Sequence, residues 1–228
     1  MVSIEKLVNY TNDYLSIDQI KDYETIEKAA KAGVQALIVH HGFFWKNEDP
    51  CLLGMKYQRI RALIEANINL IAYHLPLDVH PVVGNNVLLA KELEIELDGF
   101  SMAANCPNLI AYGHFPKPIS AAQFAKKIAV QLKRDPLHVS AKADLISKIA
   151  LCTGAAQDFI SHPTVLSCDA YLTGEASERT YYAAKESNLH FFAAGHHATE
   201  RFGVWALGEK IAQQFQLEHI YLETDNPI

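Results

Sequence analysis

Residues Ala36–Lys46 read ALIVHHGFFWK, and the reading of this stretch decides the fold class. Ala36 to Val39 form a short, bounded apolar run, the pattern of a strand buried in a parallel sheet. The run ends on two adjacent histidines, His40 and His41, followed by Gly42. A glycine there lets the backbone turn sharply after the strand. In open α/β sheets, ligands bind beyond the carboxyl ends of the strands, so two imidazoles stand where such a protein keeps its chemistry. Neighbours on a strand point to opposite faces, yet at a strand end that enters a glycine turn both can swing to one site. Phe43, Phe44 and Trp45 follow, and this aromatic run reads as packing or an oligomer contact rather than substrate stacking.

The pattern repeats outward from this stretch. On its N-terminal side, Ser3–Leu15 has the spacing of an amphipathic helix, and Glu24–Ala32 reads as a helix stopped by Gly33. On its C-terminal side, Tyr57–Ala66 reads as a helix. Asn69–Tyr73 reads as a second buried strand, again ending on a histidine, His74. Asn86–Leu93 and Ala121–Leu132 are predicted helices, and Leu109–Tyr112 a strand. Lys148–Thr153 is a predicted strand running into Gly154, with a helix after it. Ala170–Thr173 is a strand ending in Gly174-Glu175, with a helix from about Glu178. His190–Ala194 is the last buried strand before GHHATE, where a helix begins and runs to about Phe215. His219–Glu223 is expected to close the chain as a strand. Strands alternating with helices point to an α/β class with mostly parallel sheet.

The totals narrow the function classes. The chain has 228 residues, half of them apolar, which suits one large domain or two small ones with a real core. A net charge of −6 argues against a nucleic-acid-binding stripe. Four cysteines (Cys51, Cys106, Cys152 and Cys168) form no C-x-x-C pair, so disulfides and a thiolate zinc site are not expected, and a cytoplasmic setting is. The N-terminal residues lack the apolar core of a signal peptide, and no apolar run approaches transmembrane length. No G-x-x-x-x-G-K-[ST] phosphate loop occurs. Eleven histidines against three methionines is the unusual count, and the histidines cluster.

Three predicted strand ends carry such clusters: His40 and His41; His74 with Asp78; and His196, His197 and Glu200. His196 and Glu200 are four apart, so on the first turn of a helix they share a face. Imidazole nitrogen and carboxylate oxygen suit zinc, iron or manganese. His40, His41, Asp78, His196 and Glu200 make five ligands, too many for one open tetrahedral zinc. Two ions sharing a bridging carboxylate use them comfortably, at the ~3.5–4 Å spacing of two-metal sites. His74 and His197 are read as residues that orient a ligand or move a proton. Glu175 either faces the pocket or starts a helix. His80, His114, His138, His162, His190 and His219 read as ordinary solvated or satisfied histidines.

Taken together, IVHHGFFWK, HLPLDVHP with Gly84–Asn86, LCTGAAQ, YLTGEASE and AGHHATERFG resemble the GTP cyclohydrolase I type 2 homologue family, over most of the chain from Glu24 to Asn226-Pro227. The resemblance implies toroidal homohexamers with a dinuclear metal centre in each subunit. It implies ligands at His40, His41, Asp78, His196 and Glu200, with Glu200 as the bridge, and a pocket histidine at His74. It also implies two interlinked α/β domains. The expected division is 1–100 with 190–228 as the ligand-bearing domain and 101–189 as an inserted second one, with the site at strand ends between them. Family members usually carry a further loop and strand before the helix that precedes HHG, whereas here Tyr23 runs into Glu24. That join is read as a deletion.

The expected function is a metal-dependent hydrolase of a small, nucleotide-like substrate, holding two divalent ions per subunit (zinc, iron or manganese), with His74 or His197 as general acid or base. Attack on a purine ring carbon, an amide or a phosphoester all suit this machinery. The alternative is a non-catalytic metal-binding hexamer that presents a surface to a partner. No membrane or nucleic-acid partner is expected.

Overall fold

The computed structural model describes residues 3–14, 23–44, 49–224 and 226–228; Trp45, the last of the aromatic run, lies outside them. The chain divides into two compact units, Met1–Leu77 with Gly203–Asp225, and Asp78–Phe202 with Asn226–Ile228.

In the first unit the leading helix α1 spans Ile4–Tyr14 and α2 spans Glu24–Ala32. Strand β1 is Ala36–Val39, α3 is Gly54–Glu65 and β2 is Asn69–Ala72. β1 and β2 pair in parallel, Ala36 opposite Asn69 and Val39 opposite Ala72, with α3 as the crossover a parallel pair needs. Ile26 and Ala29 of α2, Leu37, Phe43, Leu63 and Ile68 make the core. α2 stops where expected: Gly33 takes φ +69° and its N–H donates to the Ala30 carbonyl at 3.1 Å, the left-handed cap that glycine adopts at low cost. Tyr23 caps that helix, its carbonyl accepting from Glu27 N–H at 3.1 Å. Among the described residues the sheet of this unit has these two strands only.

The expected strand at His219–Glu223 does not form. The run has strand-like residues but no ladder partner among the described residues. It is held by side chains instead. Lys28 Nζ donates to the Glu223 carbonyl at 2.8 Å, Leu222 packs on the core, and Tyr221 lies 5.8 Å from Trp205.

In the second unit the short helix α4, Leu75–Val79, brings in Asp78, and α5 is Asn85–Glu92. Strands β3 (Glu96–Ala103) and β4 (Cys106–Ser120) follow, then α6 (Ala121–Leu132), β5 (Leu137–Val139) and β6 (Leu145–Leu151). A 3₁₀ turn at Gln157–Ser161 and the one-turn α7, Pro163–Leu166, replace the single helix expected after Gly154. Then come β7 (Ala170–Thr173), α8 (Glu178–Glu186), β8 (His190–Ala193) and α9 (His196–Phe215), which belongs to this unit as far as Phe202 and to the first from Gly203. The six strands form one sheet in the order β3-β4-β6-β7-β8-β5.

Its centre, β6-β7-β8, is parallel, and the flanking pairs β3-β4, β4-β6 and β5-β8 are antiparallel. The sequence shows the parallel centre as apolar runs and hides the flanks. β4 contains Pro107, Pro116 and Pro118, which break a strand pattern. The last two fall where its register against β6 shifts, between His114 and Ile119, the irregular place where a strand tolerates proline. The β3-β4 turn is Ala104-Asn105, both at positive φ, the two-residue hairpin geometry that suits strand twist.

Alternate residues of the central strands feed two cores. Ile149, Leu151, Ala170, Leu172 and Phe192 join Phe124, Ile128 and Leu132 of α6 on one face. Ala150, Tyr171 and Phe191 join Val165 and Ala184 on the other. Both faces are therefore covered, and β7 and β8 are fully buried.

His138 and His190 are satisfied histidines with a measurable consequence. Ala141 N–H donates to His190 Nδ1 at 3.3 Å, so that nitrogen accepts; His138 Nε2 meets it at 3.0 Å and therefore donates. Burial, then the nearby His190 and Lys185, push the His138 pKa below its ordinary value. A group that binds its proton less well folded than unfolded costs stability as pH falls through the unfolded value, about 6.5. In chelator, the urea midpoint should fall as pH is lowered from 7.5 past that value, and the fall should shrink in His138→Phe. An unchanged pH profile in that variant would show that His138 carries none of it.

Candidate metal centre

The ligand-like side chains are brought to strand ends in both units. In the first, β1 and β2 are parallel and in register, so the residues just beyond them emerge side by side. His40 and His41 follow β1; Tyr73 and His74 follow β2. Tyr73 N–H donates to the Val39 carbonyl at 3.1 Å, prolonging the ladder to this edge. His40 Nδ1 lies 2.9 Å from the Tyr73 carbonyl. A carbonyl only accepts, so Nδ1 carries the proton and Nε2 is the nitrogen with a lone pair that could ligate a metal. The three rings stand 4.8 to 5.1 Å apart between centroids, and His40, His41 and His74 each offer a nitrogen within 4.8 Å of the others. His74 thus stands among the ligand-like imidazoles. Phe43 is buried in the core, while Phe44 is exposed under Lys56 Nζ, 4.8 Å from its ring centre.

In the second unit the central parallel strands end on glycines that let three chain segments close together. Gly174 N–H donates to the Gly154 carbonyl, and Gly195 N–H to the Gly174 carbonyl, both at 2.9 Å. α9 starts directly after Gly195 and presents His196 and Glu200 one turn apart. Their side chains meet, His196 Nε2 to Glu200 Oε2 at 2.9 Å. The other ring nitrogen, Nδ1, meets Glu175 Oε1 at 2.5 Å. Thr199 Oγ1 accepts from Gly154 N–H at 3.0 Å and donates to the Gly195 carbonyl at 2.9 Å, tying α9 to the strand ends.

Asp78 enters the same neighbourhood from α4. One of its oxygens, Oδ1, accepts from Asn85 Nδ2 at 2.8 Å and from Thr153 Oγ1 at 3.2 Å. Asn86 accepts from Thr153 N–H at 3.0 Å and donates to the Leu109 carbonyl at 2.9 Å, so Thr153 is itself held. Asp78 and Glu200 are both buried and offer carboxylate oxygens within 4.8 Å of one another.

The electrostatics follow from this crowding. Burial lowers the affinity of His196 for a proton, but Glu200 and then Glu175 outweigh it and raise the pKa to about 9. Burial, then Asp78 and Glu200, push the Cys152 thiol well above its ordinary value. Two carboxylates buried this close repel each other unless a cation stands with them. The donor set, imidazole nitrogen with carboxylate oxygen, is that of zinc, iron or manganese sites. The chain also clears space for it. A Cβ on Gly154 would lie 1.8 Å from Glu200 Oε1 and 3.2 Å from His196 Nε2. These residues fit a metal ion.

The sequence reading put His40, His41, Asp78, His196 and Glu200 forward as ligands. The structure groups His40 and His41 with His74, and Asp78 and His196 with Glu200. For His197 it gives a backbone contact, its N–H to the Ile228 carbonyl at 3.1 Å. Glu175 is now placed against His196. Asn85, Thr153 and Thr199 had not been singled out; nothing in the local sequence marks a hydroxyl or amide that orients a carboxylate.

Gly154 sits at φ +69°. Gly154→Ala combines that strain with displacement of Glu200, and a strained backbone alone costs about 1–3 kcal/mol. Denaturant unfolding should show at least that loss, together with weaker metal uptake by the folded fraction; a variant matching the parent in both would place Glu200 elsewhere.

A family model described as Duf34/NIF3 (NGG1p interacting factor 3) matches residues 14–227. Relatives named "GTP cyclohydrolase 1 type 2 homolog" include one from Pseudomonas aeruginosa, 45% identical over 202 residues, which are 89% of this chain and 80% of that one. Another, from Allochromatium vinosum, is 39% identical over 252 aligned positions that take in 100% of this chain and 98% of that one. Those 252 positions exceed the 228 residues present here, so the relative carries internal residues that this chain lacks. Among solved structures, a protein described as "ybgI, unknown function" superposes with a TM-score of 0.90 at 34% identity, and TTHA1606 from Thermus thermophilus with 0.86 at 28%, each covering 100% of both chains.

Proposed function

We propose that this chain, which belongs to the Duf34/NIF3 family, is a metal-dependent hydrolase of a small, nucleotide-like substrate. In this reading two divalent ions, zinc, iron or manganese, are held by His40, His41, Asp78, His196 and Glu200, with Glu200 as the bridge. The observation that carries it is the buried pair Asp78 and Glu200, with oxygens within 4.8 Å and His196 at 2.9 Å from Glu200. Carboxylates buried so closely are the usual furniture of a multi-ion site. The nucleotide enters from the name that relatives bear, and the cytoplasmic setting from the unpaired cysteines. No described helix is long and apolar enough to cross a membrane.

Ions bound there supply Lewis acidity and bring the pKa of water they touch towards neutrality. The protein's own part is positional. Asn85 and Thr153 fix the plane of Asp78, the Tyr73 carbonyl fixes the tautomer of His40, and Thr199 fixes the start of α9. His74 or His197 takes or returns the proton at the reacting group. The subunits assemble as a homohexamer. A second reading, a metal-binding scaffold that presents a surface to a protein partner, is favoured by the family's description as an interacting factor.

Metal analysis of gently purified protein should find two ions per chain, and Glu200→Ala should lose at least one of them. Full occupancy in that variant would remove the bridge. Hydrolysis across a panel of nucleotides, amides and phosphoesters should require added metal and vanish in Asp78→Ala. Tight metal with no turnover on any of them would favour the scaffold. Light scattering should return about six subunits' mass; a monomer at micromolar concentration contradicts the hexamer.

A further inference from the structure

We infer that Glu175 is the residue that positions His196, by holding its Nδ1 proton so that Nε2 is the nitrogen presented beside Glu200. The inference rests on the metal-centre reading and adds to it a residue outside the expected ligand set.

Three features carry it. The first is the order of the contacts. Glu175 Oε1 meets Nδ1 at 2.5 Å, while Glu200 Oε2 meets Nε2 at 2.9 Å. The two carboxylates therefore address different ring nitrogens, with the imidazole between them. Carboxylates accept, so each ring nitrogen can donate, Nδ1 to Glu175 and Nε2 to Glu200; a cation beside Glu200 would replace only the Nε2 proton and leave the Nδ1 proton held by Glu175. A ring held through one nitrogen in this way is fixed in rotation and tautomer, and its other nitrogen becomes the more basic ligand.

The second feature is that Glu175 has a built position. It follows Gly174 at the end of β7, where a Cβ on Gly174 would lie 2.7 Å from both the Gly154 carbonyl oxygen and His196 Cα. Only glycine lets β7 come this close to the start of α9, and the next residue is thereby delivered to the ring. Past it, Ser177 N–H donates to Thr180 Oγ1 at 3.1 Å, and the two hydroxyls lie 2.9 Å apart. This anchors the far side of the short loop to α8. The third feature is exposure. The Glu175 side chain is 34% exposed and Glu200 8%. The outer carboxylate can thus be changed with less disturbance to the core than the inner one.

The test compares Glu175→Ala, Glu175→Gln and the exposed control Glu178→Ala in chelator-stripped full-length protein. Zn²⁺ and Mn²⁺ binding is followed by calorimetry, and the His196 ring by nitrogen-15 NMR. Loss of a residue that orients a metal-bound histidine weakens metal binding about 10–100-fold. Glu175→Ala should fall in that range. Glu175→Gln, whose amide oxygen still accepts from Nδ1, should recover part of the loss, and Glu178→Ala should bind as the parent does. The slowly exchanging downfield Nδ1 proton should disappear in Glu175→Ala and persist in Glu175→Gln. Unchanged affinity together with an unchanged ring signal in Glu175→Ala overturns the inference. So does an equal loss in Ala and Gln variants with the Nδ1 proton retained in both, which would make Glu175 a ligand in its own right. If the parent takes up neither ion, the metal-centre reading falls, and the ring signal alone still decides whether Glu175 holds His196.

Discussion

Two carboxylates buried within 4.8 Å of one another, Asp78 and Glu200, are the constraint around which the second unit is built. Charges of like sign in a low-dielectric interior repel strongly and are poorly solvated. The surrounding groups each relieve part of that cost. Asn85 and Thr153 donate to Asp78, and His196 lies against Glu200. Thr153 and His196 depend on the parallel centre of the sheet, because with Glu175 they follow three adjacent strand ends.

Those ends are held rigidly from both sides. Alternation along β6, β7 and β8 sends one set of residues into the α6 core and the other into the core beneath α7 and α8. A strand packed on both faces cannot slip by one residue without turning its apolar set over. The glycines at 154, 174 and 195 then allow the closing hydrogen bonds that bring the segments together. Core packing thus sets the register, and the register sets the geometry of the acids.

The first unit reaches a similar end with less material. A two-stranded parallel pair among the described residues, with α2 and α3 packed on its core residues, is enough to set His40, His41 and His74 side by side. Among the described residues its C-terminal segment adds no strand and is tied down by Lys28 and the Trp205–Tyr221 contact. A strand-like composition becomes a strand only where a partner offers a free ladder.

The sequence by itself determined the short apolar strands, because their runs are contiguous and lead into glycine or histidine. ALIV, NLIA, AYLT and HFFA are all strands in the structure. It also determined which side chains had metal-ligand chemistry, since imidazoles and carboxylates recur directly after those runs. Of the hairpin β3-β4 only Leu109–Tyr112 was legible, because its prolines and its bulges interrupt the alternation that marks a half-buried strand. Nor was the role of Glu175, which is 21 residues from His196, or of Thr153, 75 residues from Asp78. Those pairings depend on strand order and register, which arise only when the sheet packs between its two cores, so the tertiary structure alone decided them.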